Sequence, residues 1–240
     1  MTSSVDPGRA TVLVVEDHEL VAEALRTALD ARGVVTSTVT PCSAASVVEA
    51  AARLRPRVAL LDLELGHPVG DGVALVAPLV ELGCQVLVVT GSTDRARIAG
   101  ALEAGAVGYR PKSGSLHDLL DAVSRVLAGE PVTTDAQRFE LMAALRRHRT
   151  AQRERRAPFE RLSPVEQDVL HALAEGLSVD EIAAHRRVAT STVRSQVRGI
   201  LTKLGVGSQL AAVARARAAG WPMAGSEGSR RESPSGARDG

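Results

Sequence analysis

The chain has 240 residues and a mass of 25.1 kDa, which is enough for one large domain or two small ones. Its aromatic content of only 2% argues against base-stacking RNA modules and aromatic-lined pockets, and its two cysteines, Cys42 and Cys84, lack the spacing of a zinc ribbon or a disulfide framework. The net charge of +1 conceals an asymmetry, because residues 1–130 carry 11 Lys/Arg and 16 Asp/Glu whereas residues 131–240 carry 18 and 12, which indicates two domains and an anionic partner such as nucleic acid for the second.

The chain begins with MTSSVDPGRA, which has no basic stretch followed by an apolar core. No signal peptide is therefore predicted. No apolar run reaches the roughly 18 residues that a membrane span needs. A cytoplasmic protein without a membrane partner is expected.

The first half of the chain alternates short apolar runs with amphipathic stretches. Apolar runs without polar alternation are typical of strands that a parallel sheet buries on both faces. Strands are predicted at Thr11–Val15, Val34–Val39, Val58–Leu61, Gln85–Val89 and Val107–Arg110. Helices are predicted at Glu19–Arg32, Ser43–Arg55, Val73–Leu82, Asp94–Ala104 and Leu116–Ala128. This alternation predicts a doubly wound α/β domain over residues 10–129, whose ligand chemistry lies at the carboxyl ends of the strands.

Polar side chains follow the predicted strands at those ends. Glu16 and Asp17 follow the first strand and Asp62 follows the third. Carboxylates from neighbouring parallel strands form an oxygen-rich pocket suited to Mg²⁺. Thr90 ends the fourth strand and Lys112 follows the fifth, so a hydroxyl and an ammonium at the same rim could hold phosphoryl oxygens. The set predicts a site that places phosphate on a carboxylate.

Four short motifs carry these residues in chain order, namely VLVVEDHE, LLDLEL, VVTGST and GYRPKS. Together they resemble the motifs of bacterial response-regulator receiver domains, and the resemblance covers residues 11–128. It implies a flavodoxin-like, five-stranded parallel sheet in which Asp62 is the phosphoacceptor. It also implies that Mg²⁺ is held by Glu16, Asp17, Asp62 and the backbone carbonyl of Glu64.

The same resemblance implies roles for three residues around the acceptor. Thr90 is expected to grip the phosphoryl group, Tyr109 to be the aromatic side chain that rotates, and Lys112 to pair with a phosphoryl oxygen. The loop after Asp62 departs from the family, because its Asp71-Gly72 pair stands further from the acceptor than usual. We expect this longer loop to alter the rate of phosphorylation or of dephosphorylation.

Residues 130–160 are predicted to form a basic, partly helical linker, with a helix between Pro131 and Pro158. Residues 161–221 read as a separate helical domain. Residues 222–240 are rich in Gly, Ser, Arg and Pro and are expected to be a disordered tail.

Four short helices are predicted within residues 161–221, each with a start signal. The first two begin with capping boxes, in which a serine hydroxyl and a glutamate three residues later each bind the other residue's backbone. These boxes are Ser163–Glu166 and Ser178–Glu181. Thr190 or Ser191 is expected to cap the third helix, which runs to Leu204, and Ser208 to cap the fourth, which ends at Gly220.

The third of these helices, TSTVRSQVRGILTKL, has one apolar and one polar face. Its apolar residues recur at helical spacing and predict a buried stripe, which comprises Val193, Val197, Ile200, Leu201 and Leu204. Arg194 and Arg198 lie on the opposite face, with Ser191, Ser195 and Gln196 alongside. Short polar residues and arginines near a helix N-terminus suit insertion into the DNA major groove, and Lys203 is expected to contact phosphate.

Residues 162–220 resemble the four-helix LuxR/NarL-type DNA-binding domain, through LSPVEQDVLHALAEGLSVDEIAAH followed by STVRSQVRGILTKLGV. The resemblance implies a helix-turn-helix whose recognition helix carries Thr192, Val193, Arg194, Ser195, Val197 and Arg198. Together with the polar-face pattern, it leads us to expect these DNA-binding residues: Ser191, Thr192, Val193, Arg194, Ser195, Gln196, Arg198 and Lys203. Two positions depart from the family. Gln196 replaces the commoner histidine, and Arg186 stands where an apolar residue usually packs.

These features predict a two-domain response regulator of the NarL/FixJ type rather than an enzyme. A sensor histidine kinase would phosphorylate Asp62 with Mg²⁺ as cofactor. Phosphorylation would control dimerisation and the binding of double-stranded promoter DNA by the second domain, and so regulate transcription.

Three alternatives remain. A receiver-like regulator that acts independently of phosphorylation would carry a degraded acceptor set, whereas the set here is complete. A HAD-like phosphatase is suggested by Asp62-Leu63-Glu64, but such enzymes place their acidic pair on the first strand and carry a cap domain. A quorum-sensing regulator would need an aromatic-lined pocket, and the aromatic residues number only four: Tyr109, Phe139, Phe159 and Trp221.

Overall fold

The computed structural model describes residues 11–222, which divide into two compact units between His148 and Arg149. Residues 223–240, nearly all of the predicted tail, lie outside the described residues. Within residues 11–222, no helix combines the length and the apolar character that crossing a membrane requires.

The first unit is built on a five-stranded parallel sheet, which confirms the predicted fold class. The strands are β1 (Val12–Val15), β2 (Thr36–Val39), β3 (Val58–Leu61), β4 (Gln85–Thr90) and β5 (Gly108–Pro111). Their order in the sheet is β2-β1-β3-β4-β5. Because all five run in one direction, the residues that follow β1, β3, β4 and β5 meet at one edge of the sheet.

Five helices connect and follow these strands, each within one or two residues of its predicted bounds. They are α1 (Glu19–Asp30), α2 (Ala44–Leu54), α3 (Val73–Glu81), α4 (Arg95–Glu103) and α5 (Leu116–Leu127). Side-chain caps fix three of the starts, because the side chains of Ser43, Asp94 and Ser115 accept hydrogen bonds from backbone N–H groups in the first turn.

The sheet is covered on both faces, which explains its uninterrupted apolar strands. Leu13 and Leu61 point into the layer packed by α2, α3 and α4. Their neighbours Val14 and Leu60 point to the opposite layer, which α1 and α5 fill. Alternate residues of one strand therefore serve two cores.

One long helix, α6 (Asp135–Glu160), occupies most of the predicted linker. Pro158 lies inside its last turn, whereas the sequence predicted that the helix would stop before this proline. Leu141 and Leu145 are buried in the core of the first unit, and Phe159 is buried in the core of the second. The division between the units thus falls inside α6, between His148 and Arg149, because apolar residues near each end of the helix belong to a packed core.

The second unit contains the four predicted helices, α7 (Pro164–Ala174), α8 (Val179–Arg186), α9 (Thr190–Leu204) and α10 (Gln209–Ala218). Both predicted capping boxes are present, and Ser208 caps α10 by accepting from the Ala211 N–H. The expected cap of α9 was wrong. Ala189 is its N-cap residue and supplies no side-chain hydrogen bond, since Thr190 and Ser191 already lie within the helix.

Candidate functional site

An acidic pocket lies at the carboxyl ends of β1 and β3, which are neighbours in the sheet. Glu16 and Asp17 follow β1 and Asp62 follows β3, and one oxygen of each carboxylate lies within 4.8 Å of the others. Glu16 and Asp62 are buried, with 4% and 2% of their surface exposed, whereas Asp17 faces the opening. Three carboxylates, two of them shielded from water, suit a hard divalent cation such as Mg²⁺, which prefers oxygen ligands.

Lys112 joins this pocket from the end of β5. Its Nζ lies 2.6 Å from Glu16 Oε2 and 2.8 Å from Asp62 Oδ2. Burial lowers the pKa of Lys112, but the hydrogen bonds to Asp62 and Glu16 outweigh it and raise the pKa above its usual value. The ammonium therefore stays charged and neutralises part of the acidic cluster.

Thr90 ends β4 beside β3 and is fully buried. Its Oγ1 accepts a hydrogen bond of 3.1 Å from the Ser92 N–H, and its carbonyl accepts one of 2.9 Å from the Lys112 N–H. A hydroxyl that accepts one bond can still donate its own hydrogen. Tyr109 lies half-buried in β5, packed against the core on the side of α4.

His18 also belongs to the pocket, although no metal-ligand spacing in the sequence predicts it. Its Nδ1 lies 2.9 Å from Glu16 Oε1 and 2.8 Å from Asp17 Oδ1. The hydrogen bond to Glu16 and the charge of Asp17 raise the pKa of this exposed imidazole. The signal in the sequence was its position directly after the acidic pair.

The longer loop after Asp62 requires glycine at position 72 for a steric reason. A Cβ at Gly72 would lie 2.2 Å from the Asp62 carbonyl oxygen, so no other residue fits without moving the backbone. The Glu64 N–H donates to Asp62 Oδ1 at 3.1 Å and orients this carboxylate. Gly72 therefore packs against the backbone of Asp62 despite the additional loop residues.

The polar face of α9 is exposed as predicted, with five short or basic side chains in contact with solvent. Ser191, Thr192, Arg194, Ser195 and Arg198 are exposed. The prediction that Val193 contacts DNA was wrong, because its side chain is fully buried in the core of the second unit and cannot reach a ligand. Gln196 is only half-buried, and its Oε1 has no hydrogen-bond partner among the described residues.

Two basic residues in this unit are held by the protein itself. The Lys203 ammonium, predicted to contact phosphate, lies 2.5 Å from Oε2 of Glu166, which is buried. A phosphate contact would require this ion pair to open. Arg186 lies across α7, with Nη1 3.3 Å from the Val165 carbonyl and 3.5 Å from Asp168 Oδ2.

Glu166 should make the second unit sensitive to acid. Burial raises the pKa of Glu166, but hydrogen bonds from Lys203 and Ser163 outweigh it and hold the pKa below its usual value. A carboxyl with a depressed pKa in the folded state stabilises the protein above its unfolded pKa of about 4.3, and this stability is lost as the pH falls through the folded pKa. Glu166→Gln should cost about 1 kcal/mol at neutral pH and flatten this acid dependence.

Trp221 allows the measurement, because it is the sole tryptophan and stacks on Phe159 in the second unit. Urea unfolding followed by its fluorescence between neutral and acidic pH reports this unit. Glu160→Gln, at the exposed end of α6, is the matched control. Equal acid sensitivity of Glu166→Gln and the wild type would contradict the assignment.

Comparison with known proteins gives two family matches. Residues 12–124 match the response regulator receiver domain, and residues 160–216 match the bacterial regulatory proteins of the luxR family. The probable transcriptional regulatory protein NarL of Mycobacterium tuberculosis is 32% identical over 89% of this chain and 96% of its own length. The DNA-binding transcriptional activator DevR/DosR of the same species is 35% identical over 81% and 88%. The structure of RcsB from Salmonella enterica serovar Typhimurium, bound to promoter rprA, aligns with a TM-score of 0.45 at 25% identity, over 85% of this chain and 96% of that one.

Proposed function

We propose, from the premise that this chain belongs to the DNA-binding response regulators that join a receiver domain to a LuxR-type helix-turn-helix domain, that Asp62 is its phosphoacceptor. The observation that carries the proposal is the buried Asp62 carboxylate, which lies beside Glu16 and Asp17 and is bound by Lys112. A sensor histidine kinase is the proposed phosphodonor. Incorporation of phosphate from acetyl phosphate into the full-length protein tests the assignment.

The transfer moves a phosphoryl group from a phosphohistidine nitrogen to a carboxylate oxygen of Asp62. The P–N bond breaks as the O–P bond forms, and its electron pair stays on the histidine nitrogen. Such transfers depend on positioning and on charge stabilisation more than on proton movement. The Glu64 N–H orients the carboxylate, and the Lys112 ammonium is placed to follow negative charge onto the phosphoryl oxygens.

Mg²⁺ is the proposed cofactor. The carboxylates of Glu16, Asp17 and Asp62 and the backbone carbonyl of Glu64 would hold it, and when bound it would neutralise phosphoryl charge. The fit rests on oxygen donors gathered from two neighbouring strands. Gly66 supports it, because a side chain there would approach Asp17 Oδ2 to 3.0 Å.

Thr90 and Tyr109 are proposed to convert phosphorylation into a change of the receiver surface. Phosphorylation adds about −2 charge and strong hydrogen-bond acceptors near the Thr90 hydroxyl. Movement of Thr90 toward the phosphoryl group would vacate space for Tyr109, whose half-buried ring has a core side and a surface side. The modification would thereby favour one of two existing states.

Thr90→Ala should keep phosphorylation but lose the gain in DNA affinity that phosphorylation gives the wild type. Coupling between two sites commonly amounts to about 5–150-fold in affinity, so the loss is measurable by fluorescence anisotropy with labelled promoter DNA. Thr93→Ala, exposed in the same loop, is the control and should respond like the wild type. A full phosphorylation response in Thr90→Ala would place the coupling elsewhere.

DNA binding is proposed to use the exposed face of α9, above all Arg194 and Arg198. Ser191, Thr192, Ser195 and Gln196 would contact DNA around them. Two copies of the chain would read half-sites about one DNA turn apart, the arrangement that a helix-turn-helix dimer requires. A promoter target implies action in the cytoplasm, and a regulator of this kind turns over no substrate.

The structure disfavours two of the alternatives. The Glu64 carboxylate, which a phosphatase would need beside Asp62, is half exposed and lies 3.5 Å from Arg97 on α4. The aromatic side chains line no common pocket among the described residues. Phe159 and Trp221 stack in the second unit, Tyr109 lies in the first, and Phe139 is 69% exposed.

A further inference from the structure

Arg97 is an arginine of α4 whose guanidinium lies on the loop that follows Asp62. Its Nε and Nη2 both donate to Asp71 Oδ1 at 3.0 Å, and Nη2 also donates to the Leu63 carbonyl. Nη1 lies 3.5 Å from Glu64 Oε1. The side chain is only 24% exposed, so these bonds are partly shielded from water. One side chain thus contacts three residues at the two ends of the loop.

The contacted loop is closed upon itself beside the acceptor. Glu64 and Asp71 form an antiparallel bridge, and the Gly72 N–H donates to the Leu63 carbonyl at 2.9 Å. Asp71 Oδ1 also accepts a 3.0 Å bond from the Val73 N–H at the start of α3. Arg97 therefore binds the loop at its base, where the segments around Glu64 and Asp71 pair, rather than at its tip.

We infer that Arg97 is a positioning residue for the metal side of the acceptor site, acting through Asp71 and the backbone of Leu63. The carbonyl of Leu63 is one peptide away from that of Glu64, which is the backbone ligand proposed for Mg²⁺. Fixing the first carbonyl fixes the peptide plane that precedes the second. The longer loop needs such a fixed point, because additional residues give its backbone more conformations to lose when the metal binds.

The same contact links the loop to the helix that follows Thr90. Residues 91–94 join Thr90 to the start of α4, and Asp94 caps that helix by accepting from the Ala96 and Arg97 N–H groups. Metal binding at the loop and movement of Thr90 therefore act on the two ends of one hydrogen-bonded connection.

The test is the affinity of the full-length protein for Mg²⁺, measured by isothermal titration calorimetry without a phosphodonor. This inference rests on the proposed function, since it concerns the metal of the acceptor site. Arg97→Ala should weaken Mg²⁺ binding about tenfold, which is the low end of what outer-sphere substitutions cost. Arg97→Lys should restore part of the loss, because an ammonium keeps the charge but cannot form the forked contact.

Asp71→Ala provides a second variant that does not alter α4. It should weaken Mg²⁺ binding less than Arg97→Ala, which also removes the contacts with Leu63 and Glu64. The double variant should be little worse than Arg97→Ala, because each single variant already lacks the Arg97–Asp71 contact. Arg95→Ala is the matched control, since this arginine of the same helix pairs with Glu140 instead of the loop. It should bind Mg²⁺ like the wild type.

Wild-type affinity in Arg97→Ala, or additive losses in the double variant, would overturn the inference. Failure of the proposed function gives a different result, namely a wild-type protein that neither binds Mg²⁺ nor is labelled at Asp62. Circular dichroism of each variant separates a loosened loop from an unfolded chain.

Discussion

Asp62→Asn should reduce phosphate incorporation from acetyl phosphate to background. The substitution keeps the size of the side chain and one acceptor oxygen, so the hydrogen bond from the Glu64 N–H can persist. It removes the nucleophilic carboxylate oxygen and leaves Lys112 with only Glu16 as an acidic partner. An amide is a far weaker nucleophile than a carboxylate, so the chemistry stops although the pocket survives. Labelling with radioactive acetyl phosphate, or intact mass, measures the result.

Two further variants separate loss of the acceptor from loss of the metal. Asp17→Asn should still be labelled but should require more Mg²⁺ for half-maximal incorporation, since Asp17 is proposed as a metal ligand and not as the phosphoacceptor. Asp118→Asn, on the exposed first turn of α5, should behave like the wild type. Undiminished labelling of Asp62→Asn would mean that the phosphate is carried elsewhere.

The fold could be predicted from the sequence because the apolar patterns and the helix-capping residues indicate the same secondary structure. The apolar runs of β1 and β3 are buried on both sides, so the strands have no polar face to obscure the pattern. Ser163 and Ser178 mark the starts of α7 and α8, because each is followed three residues later by the glutamate of a capping box. Predictions from local sequence failed where tertiary packing determines the end of a helix. Pro158 should end a helix on propensity, yet the neighbouring Phe159 is buried in a core and the helix continues.

The part of the candidate site that lies at the strand ends was predictable from the sequence. Asp62 and Lys112 are 50 residues apart in sequence, but parallel strands bring their ends together by topology alone. Arg97 was not predictable, because its partners lie on a loop whose course depends on Gly66, Gly70 and Gly72 rather than on a repeating pattern. The pairing of Lys203 on α9 with Glu166 on α7 was also missed, because 37 residues and the intervening helix α8 separate them in the sequence.

Arg194→Ala and Arg198→Ala should have the largest effects on DNA recognition. The two residues lie one helical turn apart on the exposed face of α9, and no carboxylate within residues 11–222 pairs with either guanidinium. Val193 and Val197 fix that face outward by burying the opposite one. An arginine that reads a guanine edge contributes about 1–3 kcal/mol of discrimination, whereas a phosphate contact contributes none. We expect at least one of the two to read a base.

The two kinds of contact leave different signatures across a randomised operator library at two salt concentrations. Loss of a base-reading arginine should relax the preference at one position of each half-site by about 10–100-fold. Loss of a phosphate contact should weaken all sequences alike and reduce the salt slope by about 0.9. Arg217→Ala removes the same charge from α10, where the guanidinium binds the Ala174 carbonyl at 3.3 Å, and should change neither quantity. If both α9 variants keep the wild-type affinity and preference, the proposal that this helix enters the groove fails.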